Sequence, residues 1–178
     1  MRVRTLLTIA TAVALTVVGT IWIRSLVPPE SPTGSLAFLS AAAELPIFDR
    51  SEKKIDLSNA KGKFIIVHFW ATWCPPCVEE IPALSRFWEK YGNRDDLVLY
   101  AISVDKDWKI IDNFAAKNPN KLPIYRDPDA KTAARFGSSQ YPETYIVNPA
   151  GRVLQRVQGA MSWDDPELRR KIEQLLAS

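Results

Sequence analysis

The chain has 178 residues, 47% of them apolar and 24% charged, which suffices for one globular domain and an appendage without a disulfide framework. Its formal charge of +3 comes from the first 27 residues, where Arg2, Arg4 and Arg24 have no acidic counterpart. The remaining 20 basic and 20 acidic side chains cancel, and nothing in that mixed balance suggests the clustered basic face that nucleic-acid binding needs.

Thr5 to Ile23 is a run of 19 uncharged, mostly aliphatic residues. At 1.5 Å per residue it makes about 28 Å of helix, close to the roughly 30 Å hydrocarbon core of a bilayer. No polar face interrupts it, unlike a helix of a soluble core. Arg2, Arg4 and the terminal amine precede the run, and Arg24 and then Glu30 follow it, so the charge bias reads residues 1–27 as a membrane anchor with a cytoplasmic N-terminus. A cleaved signal peptide is the rival reading. It would have a shorter apolar region with a small-residue site close behind, whereas Ala41-Ala42-Ala43 lies far downstream. Residues 28–44, which start rich in Pro and Ser, read as a linker, and residues 45–178 as the domain on the extracytoplasmic side.

Within that domain, Leu45 to Leu57 holds two short apolar stretches around Asp49-Arg50-Ser51-Glu52, a hairpin pattern. Phe64 to Trp70 is almost continuously apolar, as in a strand buried on both faces. A helix follows from the cysteines, with Val78, Ile81, Leu84 and Trp88 as its core stripe, a kink expected at Pro82 and an end at Gly92. Leu97–Val104 reads as a second buried strand and Trp108, Ile111, Phe114 and Ala115 as a helical stripe ended by Asn118-Pro119. Leu122–Tyr125 reads as a short strand and Asp129–Phe136 as a helix. Tyr145–Val147 and Val153–Val157 flank a type I turn at Asn148-Pro149-Ala150-Gly151. The last helix starts at Asp165-Pro166 and turns Leu168, Ile172, Leu175 and Leu176 inward. Alternating strands and helices predict an α/β fold, a mixed sheet with helices on both faces.

Both cysteines fall in one motif, Cys74-Pro75-Pro76-Cys77, at the junction of a buried strand and a helix. The spacing lets the two sulfurs approach across one helical turn. Cys74 sits at the helix N-terminus, where unpaired N–H groups and the dipole favour its thiolate and make it the attacking nucleophile. Cys77, one turn inside, is the resolving thiol. Pro75 and Pro76 remove two N–H donors from around the sulfurs. A zinc site would need further Cys or His, and only His68 is available; a structural disulfide of such short span would stabilise little. We therefore expect no metal and no cofactor beyond the redox-active pair.

The run Phe69-Trp70-Ala71-Thr72-Trp73-Cys74-Pro75-Pro76-Cys77, with Glu80, Pro82, Asp105 and Tyr141-Pro142-Glu143-Thr144, resembles the thioredoxin-like TlpA/ResA/CcmG (DsbE) family of membrane-anchored thiol–disulfide oxidoreductases, over roughly residues 45–175. The resemblance implies a thioredoxin fold with a leading hairpin and an inserted helix and strand between Val104 and Pro142. It implies a cis peptide at Tyr141–Pro142 facing the cysteines, the backbone of Tyr141 pairing with an extended client segment, and client contacts from Trp73, Pro75, Pro76 and Pro142. It also implies that Glu80, three positions after Cys77, exchanges a proton with the buried thiol; a solvated helix charge is the competing reading. His68 departs from the family, which usually carries Asn there. Strand alternation points it beneath the cysteines, either as a proton relay to Cys77 or as a packed core imidazole. Gln140 is a second departure, standing where the family tends to have Gly.

The resemblance further implies an extracytoplasmic reductant of client disulfides, typically apocytochrome c during cytochrome c maturation, supplied with electrons by a membrane thiol carrier of the CcdA/DsbD kind. The alternatives are a disulfide-donating oxidase or isomerase, a peroxidase, for which the Thr-x-x-Cys pocket is missing, and a metallochaperone, for which a downstream His is missing.

Overall fold

A computed structural model of the chain describes residues 47–176. The anchor read at 1–27 and the linker at 28–44 lie outside these residues, and among the described residues no helix is long and apolar enough to cross a membrane.

The first two strands, β1 (Ile47–Phe48) and β2 (Lys54–Ile55), form the expected antiparallel hairpin. Asp49 closes it: its Oδ1 accepts from the N–H groups of Ser51 and Lys53 at 2.8 and 3.0 Å, a side-chain-capped turn. A 3-10 turn at Leu57–Ala60 leads into β3 (Phe64–Trp70), every residue of which is buried. Then come α1 (Pro75–Tyr91), β4 (Leu97–Ser103), α2 (Trp108–Lys117), β5 (Ile124–Arg126), α3 (Lys131–Arg135), β6 (Glu143–Val147), β7 (Val153–Gln158) and α4 (Pro166–Leu176).

The strands form one seven-stranded sheet in the order β2-β1-β5-β4-β3-β6-β7. The pairs β3–β4 and β4–β5 are parallel, the others antiparallel. Alternation divides the core into two layers. On one face Ile66, Trp70, Leu99 and Ala101 pack against Ile81, Leu84 and Phe87 of α1, Phe114 of α2 and Ile172 of α4. On the other, Ile65, Val67, Phe69 and Tyr145 pack against Leu57 and Ala60 of the 3-10 turn and Ala133 of α3. The long helices thus share one face, and short elements cover the second.

One helix boundary differs from the sequence reading, that of α3, while α1 ends at Gly92 as read. Helix α3 is five residues, not the eight of Asp129–Phe136: Ala130 adopts a left-handed φ of 51°, and Asp127, not Asp129, receives the helix's N–H groups, its Oδ2 taking Ala133 N at 2.8 Å. Helix α1 runs through Pro82 for 17 residues and ends at Gly92 in a right-handed conformation. Glycine is needed there for space, because a Cβ would lie 2.7 Å from the Trp88 ring and carbonyl. The turn before β7 follows the reading, with Gly151 N bonded to Asn148 O at 2.8 Å and Gly151 at φ 79°.

Candidate active site

Cys74 and Cys77 are joined by a disulfide with their Cα atoms 5.3 Å apart. The local sequence explains the arrangement of donors. Pro75 and Pro76 occupy the first two positions of α1 and have no N–H, so Cys77 supplies the first amide of the helix. It donates to Cys74 Sγ at 3.3 Å, and Cys74 takes the N-cap place usually filled by an oxygen. A donor and the positive helix end at one sulfur favour its thiolate once the bond is reduced. Cys74 is 5% exposed and Cys77 0%, consistent with an outer attacking and an inner resolving sulfur.

The loop that presents Cys74 is braced from β4. Asp105, itself buried, accepts from Thr72 N and Thr72 Oγ1, both at 2.9 Å, and from Ser103 Oγ at 2.7 Å. Opposite stands the Tyr141–Pro142 peptide, which is cis. The Tyr141 carbonyl oxygen lies 3.4 Å from Cys74 Sγ. Trp73, 66% exposed, meets the Tyr141 ring edge-on at 6.1 Å, and Pro75 and Pro76 are exposed beside it. The fold thus gathers Trp73, Cys74, Pro75, Pro76, Tyr141 and Pro142 into one mouth.

Glu80 and His68 form a second group beneath it. Glu80 is buried, which removes the reading of a solvated helix charge. Its Oε2 accepts from Met161 N at 2.9 Å and its Oε1 from Trp163 Nε1 at 3.0 Å. Burial pushes the Glu80 carboxyl up to about 7, against the two hydrogen bonds, which favour the charged form. His68 is fully enclosed, and burial holds its pKa down to about 3. Its ring nitrogens face Thr144 and Glu80, so it meets Glu80, not a sulfur atom, directly.

Sequence reasoning missed the supports around the mouth. Glu143, next to the cis proline and wholly buried, binds Arg156 Nε at 2.5 Å. Arg156 Nη2 also donates to Gly137 O at 2.8 Å, and Tyr145 Oη donates to Phe136 O at 2.8 Å. These bonds tie the segment leading to Tyr141 onto β6 and β7. The available signal was an acid, Glu143, standing directly after Pro142 and just before the apolar run Tyr145–Val147. Among the described residues no three His, Cys, Asp or Glu side chains converge to hold a metal ion.

A C-x-x-C disulfide at a helix mouth facing a cis proline, on a mixed sheet with helices packed on it, defines a thioredoxin-like thiol–disulfide oxidoreductase. The chain belongs to the AhpC/TSA family, whose model matches residues 40–156, and its likenesses place it with the TlpA/ResA/CcmG group. It is 29% identical over 127 residues to the thiol-disulfide oxidoreductase ResA of Bacillus subtilis, covering 70% of each chain. To the thioredoxin-like protein YneN of the same organism it is 33% identical over 120 residues, 66% of this chain and 69% of the other. Among solved structures it is similar to MTB dsbF, with a TM-score of 0.65 and 26% identity over 76% of this chain and 97% of that one.

Proposed function

We propose that the chain is an extracytoplasmic reductant that returns selected protein disulfides to dithiols, with apocytochrome c before haem attachment as the client class and a membrane dithiol carrier of the CcdA/DsbD kind as electron source. The observation that carries the reading is the Cys74 sulfur, held by the Cys77 N–H at the mouth of α1 and set against the carbonyl of the cis Tyr141–Pro142 peptide. The extracytoplasmic placement rests on the apolar run Thr5–Ile23 and the arginines around it.

The exchange proceeds in two displacements. The Cys74 thiolate attacks one client sulfur, forming a mixed disulfide and releasing the other client sulfur as a thiolate. Cys77 then gives its proton to the Glu80 carboxylate and attacks Cys74 Sγ, releasing the second client thiolate. The client gains two electrons and the chain ends with the Cys74–Cys77 bond. A carboxyl with a pKa of about 7 suits that proton exchange near neutrality. Trp73 and the Tyr141 backbone would hold the client segment. The Cys74–Cys77 pair is the whole redox equipment in this reading.

The reduction potential of the pair tests the direction. A value near −270 mV or below is expected, and one near about −120 mV makes the chain a disulfide donor. Cys77→Ser is expected to trap the client on Cys74 for mass spectrometry. A trapped partner without a C-x-x-C-H haem-attachment motif removes the cytochrome c assignment.

A further inference from the structure

His68 is the one histidine of the chain, and its ring bridges two elements. Nδ1 lies 3.0 Å from Thr144 Oγ1 on β6. Nε2 forms no hydrogen bond, and Glu80 Oε1 on α1 lies 3.4 Å from it. Closing that gap by about 0.4 Å gives an ordinary N–H···O bond. The surroundings are otherwise nearly free of charge. Beside His68 in the sheet stand Ala101 of β4 and Thr144 of β6, with Val157 of β7 beyond. The ring of Trp163 meets the imidazole edge-on at 6.4 Å. Of the groups that α1 sets over this face, Glu80 is the titratable one, because Cys74 and Cys77 at its start are joined in the disulfide and do not titrate in the oxidised chain. Glu143 and Arg156 alternate onto the opposite face of the sheet with Phe69 and Tyr145.

We propose that Thr144, His68 and Glu80 form a proton-linked tautomer switch, in which the imidazole stays neutral and moves its ring hydrogen from Nε2 to Nδ1 when Glu80 takes up a proton. With Glu80 ionised, Nε2 carries the hydrogen and offers it to Oε1, while the bare Nδ1 accepts the Thr144 hydroxyl. With Glu80 protonated, its O–H points to the bare Nε2, and Nδ1–H donates to Thr144 Oγ1. A hydroxyl serves equally well in either role. The two states differ by one proton, which comes from solvent or from a thiol and resides on Glu80; no electron moves and no bond between heavy atoms changes.

The arrangement answers a specific need. Met161 N–H and Trp163 Nε1–H can only donate, so they satisfy Glu80 as a carboxylate alone. A buried acid that must hold a proton in one state and lack it in another needs a neighbour able to reverse polarity, and neutral imidazole is one. Burial keeps the exchanged proton on the carboxyl and off the ring. His68 is thus a positioning residue acting through Glu80. Its use in turnover rests on the reading of Glu80 as the proton partner of Cys77; the switch itself does not.

A single histidine makes the test direct. With 15N-labelled histidine, the full-length oxidised chain yields one pair of ring nitrogens. The expected result is a ring that stays neutral above about pH 5 while its hydrogen moves from Nδ1 to Nε2 with a midpoint near about 7. The Trp163 indole N–H, bonded to the same Oε1, is expected to titrate with the same midpoint, and in Glu80→Gln the ring keeps one tautomer. A fixed tautomer in the unaltered chain, an imidazolium forming near about 6.5, unequal ring and indole midpoints, or a tautomer change that survives Glu80→Gln overturns the switch. In turnover, His68→Asn is expected to move the pH–rate midpoint by about one unit with the optimum rate changed less than about threefold; an unmoved midpoint removes the positioning role. The spectra need no turnover. A chain that switches but reduces no disulfide loses the proposed function alone, and one that reduces disulfides with a fixed ring loses this inference alone.

Discussion

Glu80 and His68 respond to pH in opposite senses, because burial penalises the charged form of each. The Glu80 carboxyl, pushed from 4.5 to about 7, keeps in the native chain a proton that the unfolded chain releases. Its contribution to stability therefore falls as pH rises from 4.5 to about 7. His68, held down from 6.5 to about 3, stays neutral where the unfolded chain is charged, so its contribution is lost as pH falls from 6.5 to about 3. Over the shared range the two slopes oppose. Relative to the unaltered chain, Glu80→Gln is expected to gain stability steadily with rising pH through the Glu80 range, by up to about 3 kcal/mol. Urea midpoints across pH measure it, and parallel curves would contradict the assignment. At this scale the sulfurs were legible from their spacing and the cis proline from the family resemblance, whereas the burial of Glu80 was not, a solvated helix charge being the competing reading. The partners of Glu80 were not: Met161 and Trp163 arrive from 81 and 83 residues away. Nothing local to Phe64–Trp70 says which side chain His68 will meet.

Between elements, the client-facing segment before Pro142 depends on bonds to its neighbours, not on its own sequence. Arg156, whose side chain is 34% exposed, is the partner of the enclosed Glu143 carboxylate. Arg156→Leu leaves that charge buried without its partner and frees Gly137 O. The expected cost is about 2–3 kcal/mol in urea denaturation, below the 3–5 typical of fully buried pairs because the guanidinium is partly solvated. Arg156→Leu with Glu143→Gln is expected to recover part of it, and an unchanged midpoint in the single variant would show that the pair does not brace the segment. Strands β3 and β4 and helix α1 were legible from apolar runs and periodicity. Helix α3 was misread because two acids flank Pro128. The nearer, Asp129, bonds Lys131 Nζ at the surface, while Asp127 turns inward to receive the helix amides. Which acid caps depends on the burial of Asp127, which the local pattern does not encode.

For the whole molecule, the alternation of strands and helices was enough for the layered α/β architecture, and the family motifs for the leading hairpin and the added α2–β5 unit. Strand order was not encoded in any segment. In the folded sheet β3 lies between β4, its parallel neighbour, and β6, its antiparallel one. That placement brings the start of α1 and the start of β6 to one end of the sheet, so that residues 74 and 141 meet. The account rests on that meeting producing an acidic outer sulfur and a shielded inner one. Alkylation of the reduced chain as a function of pH measures both. Cys74 is expected to react first, with a rate midpoint clearly below the 8.5 or so of a free cysteine, and Cys77 far more slowly. Equal rates at both positions, or a Cys74 midpoint at the ordinary value, would contradict the account.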